Sequence, residues 1–147
     1  MEFNYLAAFV AAIASFVFGM LWYSDKLFGK KWRRLSGITK EMEEKMKSKQ
    51  KGMLGVSLVS LIGSFVMALV LSVFISAYMM VTGNRTGSAD PMMISLTTGF
   101  LLWLGLLATS SMGSVLWEKK PMKLWVLNNG YSLVNIIIMS LIVGMWR

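Results

Sequence analysis

Cysteine and histidine are both absent from this 147-residue chain. Without cysteine there is no disulfide framework, no thiol nucleophile and no thiolate metal site. Without histidine the commonest general base and metal ligand near neutral pH is missing too. Charge is scarce: 15% of the residues are charged, against about a quarter in a soluble domain. Only two prolines occur, Pro91 and Pro121. No phosphate loop, nucleophile elbow or carboxylate pair stands among the remaining residues. No residue is therefore assigned a catalytic role, no metal or other cofactor is implied, and the chain is not read as an enzyme.

What is present is apolar and segregated. Hydrophobic residues make up 56% of the chain, in runs longer than the ~20 residues that cross a bilayer. The pattern predicts an all-α, polytopic membrane protein with four transmembrane helices in a single domain. The spans fall at about 3–23, 53–82, 91–117 and 124–146, and a basic loop occupies 24–52. The first span opens on Glu2 and Asn4 rather than on Lys or Arg, so it is read as a retained helix and not a signal peptide. No Asp, Glu, Lys or Arg lies within any span, which argues against proton relays and ion-coupled transport. Both prolines sit at expected helix starts, so neither interrupts a span as in many transporters. Asp90-Pro91 in particular reads as an N-cap followed by the first helical residue.

Basic residues set the expected orientation. Of 15 Lys and Arg, ten lie in the first loop and three (Lys119, Lys120, Lys123) in the turn between spans three and four. Only Arg85 and Arg147 belong to the opposite side. The positive-inside rule then predicts a cell (inner) membrane protein with both basic turns in the cytoplasm and both termini outside. Within the loop, Phe28, Trp32 and Leu35 recur at helical spacing among Lys30, Lys31, Arg33 and Arg34. The spacing predicts an amphipathic helix lying on anionic lipid headgroups, so lipid rather than nucleic acid is the expected partner. Ser36-Gly37 should end it, and Thr39 should cap a second, solvated helix in which acids precede bases.

Small residues mark the expected seams. Ala7, Ala11, Ser15 and Gly19 recur every fourth residue in span one, and Ser60, Ser64, Ala68, Ser72 and Ser76 do so in span two. Facing stripes would pair these helices closely and favour self-association into a homo-oligomer. The stripes are not expected to continue through the second pair. In span four, Asn128, Asn129, Tyr131 and Asn135 form the most polar patch inside any span. One reading is hydrogen-bonded glue to Thr109, Ser110 or Ser114 of span three. The other is the lining of a passive channel or carrier for a small neutral or anionic solute. Trp103, deep in span three, is the aromatic expected to line a pocket, whereas tryptophans at span ends are expected to anchor the interface. Asn128-Asn129-Gly130 also carries turn chemistry, so a local break in span four is a further expectation.

Three clusters together resemble the DUF1761 family of small membrane proteins. They are Gly19-x-x-Trp22-Tyr23-Ser24-x-x-Leu27-Phe28-Gly29-x-x-Trp32, Gly99-Phe100-x-x-Trp103-Leu104-Gly105, and Pro121-x-x-Leu124-x-x-x-Asn128-Asn129-Gly130-Tyr131. The chain departs from the family pattern at Asp25, where proline is frequent. The resemblance implies a four-helix membrane fold and brings neither an assigned activity nor catalytic residues.

Overall fold

The computed structural model describes residues 4–86 and 90–146 and is all-helical there. Six helices follow in order: α1 (Tyr5–Trp22), α2 (Gly29–Leu35), α3 (Lys40–Ser48), α4 (Gln50–Thr86), α5 (Pro91–Leu116) and α6 (Met122–Met145). Four of them are long and apolar enough to cross a membrane: α1, the Leu54–Gly83 part of α4, α5 and α6. Arg147, residues 87–89 of the second connection and the side chains of 84–86, Arg85 among them, lie outside the described residues.

The long helices form an up-and-down bundle. α1 packs on α4 and α6, α5 packs on α6 and α4, and α4 and α6 meet across the middle. Ala11 of α1, Ala68, Leu71 and Ile75 of α4, Ile94 of α5 and Met139 of α6 meet in the buried core. The first two small-residue stripes do face one another, with Ser15 Oγ 3.1 Å from Ser64 Oγ. Ala8 and Ala12 are buried as well, because α1 must fit two neighbours rather than one. Gly19 turns to α6 instead, under the Tyr131 ring.

The second pair of helices has a seam that the sequence reading missed. Ser95 and Gly99 of α5 stand opposite Gly144 and Ser140 of α6. A Cβ added at Gly144 would lie 3.0 Å from Ser95 Cβ, and one at Gly99 would lie 3.2 Å from Ser140 Cβ. Both serines are fully buried. Each helix thus offers a serine and a glycine four residues apart, and the antiparallel arrangement pairs each glycine with the other helix's serine. Small residues at these positions let the two backbones approach closely. The pattern spans one step per helix, too short to stand out as a stripe.

Local signals end the helices where expected. Asp90 accepts from Met92 N at 2.9 Å as the cap of α5, and Thr39 accepts from Met42 N at 3.3 Å as the cap of α3. Gly37 stops α2 with φ +72°, a conformation that L side chains rarely adopt. The turn that precedes α2 folds tightly on the end of α1. A Cβ at Gly29 would meet the backbone of Tyr23 and lie 2.8 Å from the Ser24 carbonyl oxygen. Asp25 pairs with Arg33, which also reaches Glu43 at 3.6 Å. The Arg33 guanidinium holds the Asp25 carboxyl below the usual carboxylate range.

α5 departs from a regular helix. Trp103–Ala108 is a π-helical segment, in which N–H groups reach back five residues rather than four. The next hydroxyls along the chain bond to nearby carbonyls: Thr109 to Gly105 at 2.7 Å, Ser110 to Leu106, and Ser111 to Ala108 at 3.1 Å. The run Thr109-Ser110-Ser111 thus supplies donors to carbonyls in and beside the π segment. By contrast, α6 continues unbroken through Asn128-Asn129-Gly130. The expected local break does not occur; Gly130 packs beside the Trp22 ring.

Candidate functional site

The bundle has two chemically different ends. At one, Asn4 Nδ2 donates to the Trp146 carbonyl at 3.1 Å, joining the first and last helices. At the other, Trp32 of α2 and Lys120 of the α5–α6 turn line one cavity. The two basic segments therefore gather at a single end, and the polar groups of the candidate site gather beneath them.

Tyr131 is the centre of an aromatic group at this loop end. Its ring stacks on Phe18 (5.6 Å, 7°) and lies 5.1 Å from Tyr23 and 6.2 Å from Trp22. Phe28 then covers Trp22 at 4.6 Å, and Trp32 meets Tyr23 edge-on at 5.5 Å. This packing redirects Trp32: its ring sits on the end of α1 as well as beside the basic residues of α2. Lys30, Lys31 and Arg34 remain exposed.

A polar network lies alongside. Asn129, which is buried, donates from Nδ2 to Ser111 Oγ at 3.0 Å and to the Trp125 carbonyl at 3.1 Å. Ser111 Oγ also receives the Trp125 indole N–H at 3.0 Å. Deeper, Trp103 Nε1 is shared between the Asn129 carbonyl at 3.1 Å and Ser132 Oγ at 3.0 Å. Trp103 thus crosslinks α5 to α6 and does not line the cavity.

The amides of α6 divide into three roles. Asn129 binds α5. Asn128 accepts the Tyr23 hydroxyl at 3.1 Å and faces the cavity. Asn135 joins neither group: it is buried, its Nδ2 lies 3.7 Å from Met139 Sδ, and its Oδ1 has no hydrogen-bond partner. The hydroxyls of Thr109 and Ser110 stay on their own helix and are exposed, so neither serves as the expected partner of these amides. The π segment accounts for the change. One residue of extra winding rotates the remainder of the helix by about 100°, bringing Ser111 to the face that a regular helix would give its neighbour. The participation of Ser111, Trp125 and Ser132 was not foreseen. The pair Trp125 and Asn129, four apart at the start of span four, is the one signal that pointed to it.

The cavity has a volume of about 370 Å³. Trp32, Leu35, Leu124 and Trp125 form its apolar walls, and Ser36, Ser111, Ser114, Lys120, Asn128 and Asn129 its polar ones. Lys120 is presented by a turn in which Lys119 holds a left-handed backbone, φ 53°, a strained state for a non-glycine residue. Among the described residues, no three acidic side chains stand close enough to hold a metal ion.

Residues 6–144 match the model of a family described as "Protein of unknown function (DUF1761)". No curated protein and no solved structure matches the chain.

Proposed function

Since the chain belongs to the DUF1761 family, which carries no assigned activity, we propose a role from its own geometry. It is a non-enzymatic, self-associating four-span protein of the cell (inner) membrane, held at its basic end to anionic lipid. One observation carries this reading: the basic loop and the basic turn share one end of the bundle, while the first and last helices meet at the other. Thirteen of the 15 Lys and Arg therefore belong to one end, which the positive-inside rule assigns to the cytoplasm. Lys30, Lys31 and Arg34 are free to meet headgroups, each contributing about 1 kcal/mol near an anionic leaflet. Arg33 is diverted to Asp25 and Glu43.

The lack of cysteine makes the sidedness directly testable. In intact cells, Lys47→Cys and Lys120→Cys should resist an impermeant thiol reagent until the membrane is opened, whereas Asp90→Cys should react at once. Labelling of Lys47→Cys and Lys120→Cys from opposite sides would end this reading. Self-association draws support from the first half of α4, where Val56, Val59 and Ile62 are exposed and nothing approaches Gly55 or Gly63. Mass measurement in lipid nanodiscs should show more than one copy, with Gly63→Leu lowering that fraction; a single copy throughout would refute it.

The cavity favours a passive channel or carrier instead. A solute leaving it would have to cross the apolar layer of Ile94, Ile136, Met139 and Val143, all buried. Solute flux in proteoliposomes, abolished by a cavity substitution that preserves folding, would make that second reading the better one.

A further inference from the structure

We propose that the cavity beneath α2 binds the phosphate group of an anionic amphiphile, as a discrete site separate from the diffuse attraction of the basic loop. The argument rests on which donors are left unspent. Tyr23 occupies the Asn128 amide oxygen at 3.1 Å, so that side chain has its NH2 group left to offer. No hydrogen bond ties the Ser36 hydroxyl or the Trp32 indole N–H to another described residue, and both residues line the cavity. Lys120 adds an ammonium group, paired to Glu118 at 2.5 Å. The residues that carry these donors line the cavity from α2 and its C-cap, the α5–α6 turn and α6. No carboxylate lines it.

A group that accepts hydrogen bonds on several sides and carries negative charge answers this arrangement. A phosphate ester does both. The remaining walls, Trp32, Leu35, Leu124 and Trp125, are apolar and aromatic, which suits the part of an amphiphile next to its headgroup. Volume is adequate, since about 370 Å³ falls within the ~300–1,000 Å³ of small-molecule sites. Glu118 opposes binding because it holds the one ammonium group of the site, so the ligand must share or displace it.

The site rests on the membrane reading only for the source of its ligand, and its test avoids that dependence. The whole protein in neutral, sugar-headgroup detergent micelles is titrated with decyl phosphate or with inorganic phosphate, following tryptophan fluorescence and thermal unfolding. Decyl phosphate should give a saturable change in both signals. Lys120→Gln should weaken it roughly tenfold, the worth of one charge-assisted hydrogen bond. Glu118→Gln, an exposed position, should tighten it several-fold by releasing Lys120. Saturation by decyl phosphate alone identifies a lipid-like ligand; saturation by inorganic phosphate as well identifies a free anion taken by the same donors. Absence of a saturable change with either probe overturns the proposal. So does a change that Lys120→Gln, Glu118→Gln and Asn128→Leu all leave unaltered. Binding of the loop to anionic vesicles is scored separately, since Lys120→Gln leaves Lys30, Lys31 and Arg34 in place.

Discussion

Gly144→Leu is expected to prise α5 from α6 and to produce a large loss of stability. Even a methyl group at this position would lie 3.0 Å from Ser95 Cβ and 3.5 Å from Ile75 Cγ2. Ser95 is fully buried and already donates to the Pro91 carbonyl at 2.6 Å, so its side chain has little room to turn away. Overpacking of a close-fitting interior costs about 1–3 kcal/mol and sometimes more. A leucine here also faces α4, which doubles the demand for space. Gly144→Ala should be milder, and Ser95→Gly should rescue it by removing the obstructing atoms. The coupling in such a double-mutant cycle should reach about 0.5–3 kcal/mol. Unfolding in mixed micelles by a denaturing detergent measures it. Strict additivity of Gly144→Ala and Ser95→Gly would mean that the two residues do not touch.

Asn135→Leu should stabilise the protein, and Asn129→Leu should destabilise it, although both remove a buried amide from the same helix. The difference lies in their partners. Asn129 Nδ2 donates to Ser111 Oγ and to the Trp125 carbonyl, and its Oδ1 shares the single Ser111 hydroxyl proton with the Ala108 carbonyl. Its loss removes both Nδ2 donations, at about 0.5–1.5 kcal/mol each, while the Ser111 hydroxyl keeps the Trp125 indole and the Ala108 carbonyl. Asn135 has one long contact to a methionine sulfur and an amide oxygen with no partner. Leucine keeps its branched shape and removes the desolvated acceptor, so a gain of about 1 kcal/mol is expected. The same detergent unfolding series reads both. A loss of stability in Asn135→Leu would show that this amide holds a partner the structure does not display.

These amides also show where sequence reasoning reached its limit. The long apolar helices and their caps were legible because each depends on composition or on one or two neighbouring residues: Asp90-Pro91, Thr39, Ser36-Gly37, the runs without charge. The facing of Ser15 and Ser64 was legible because a four-residue repeat fixes a helix face. The π segment was not. It contains no proline and no break in hydrophobicity, and its occurrence depends on how Trp103 docks between Asn129 and Ser132 across the seam. Once it is present, Ser111 replaces Thr109 and Ser110 as the partner of α6. The contact of Trp32 with Tyr23 was not legible either, because helical spacing says nothing of the tight turn at Gly29 that makes it. Asn135 shares a face with Asn128 and Tyr131 as its spacing required. Sharing a face did not give its amide oxygen a partner among the described residues.

Placed in a bilayer, the second long helix would bear on the lipids around it. Its apolar stretch, Leu54–Gly83, is 30 residues long, about 45 Å of helix. To lie wholly within a hydrocarbon layer of ~30 Å it would have to lean by about 48°, beyond the 0–40° found for such helices. Inclination alone does not absorb the excess, so the lipids must stretch around it or the helix ends must stand clear of them. Either response costs less in a thicker bilayer. Inserted in a membrane, the protein would therefore be expected to collect where the bilayer is thicker.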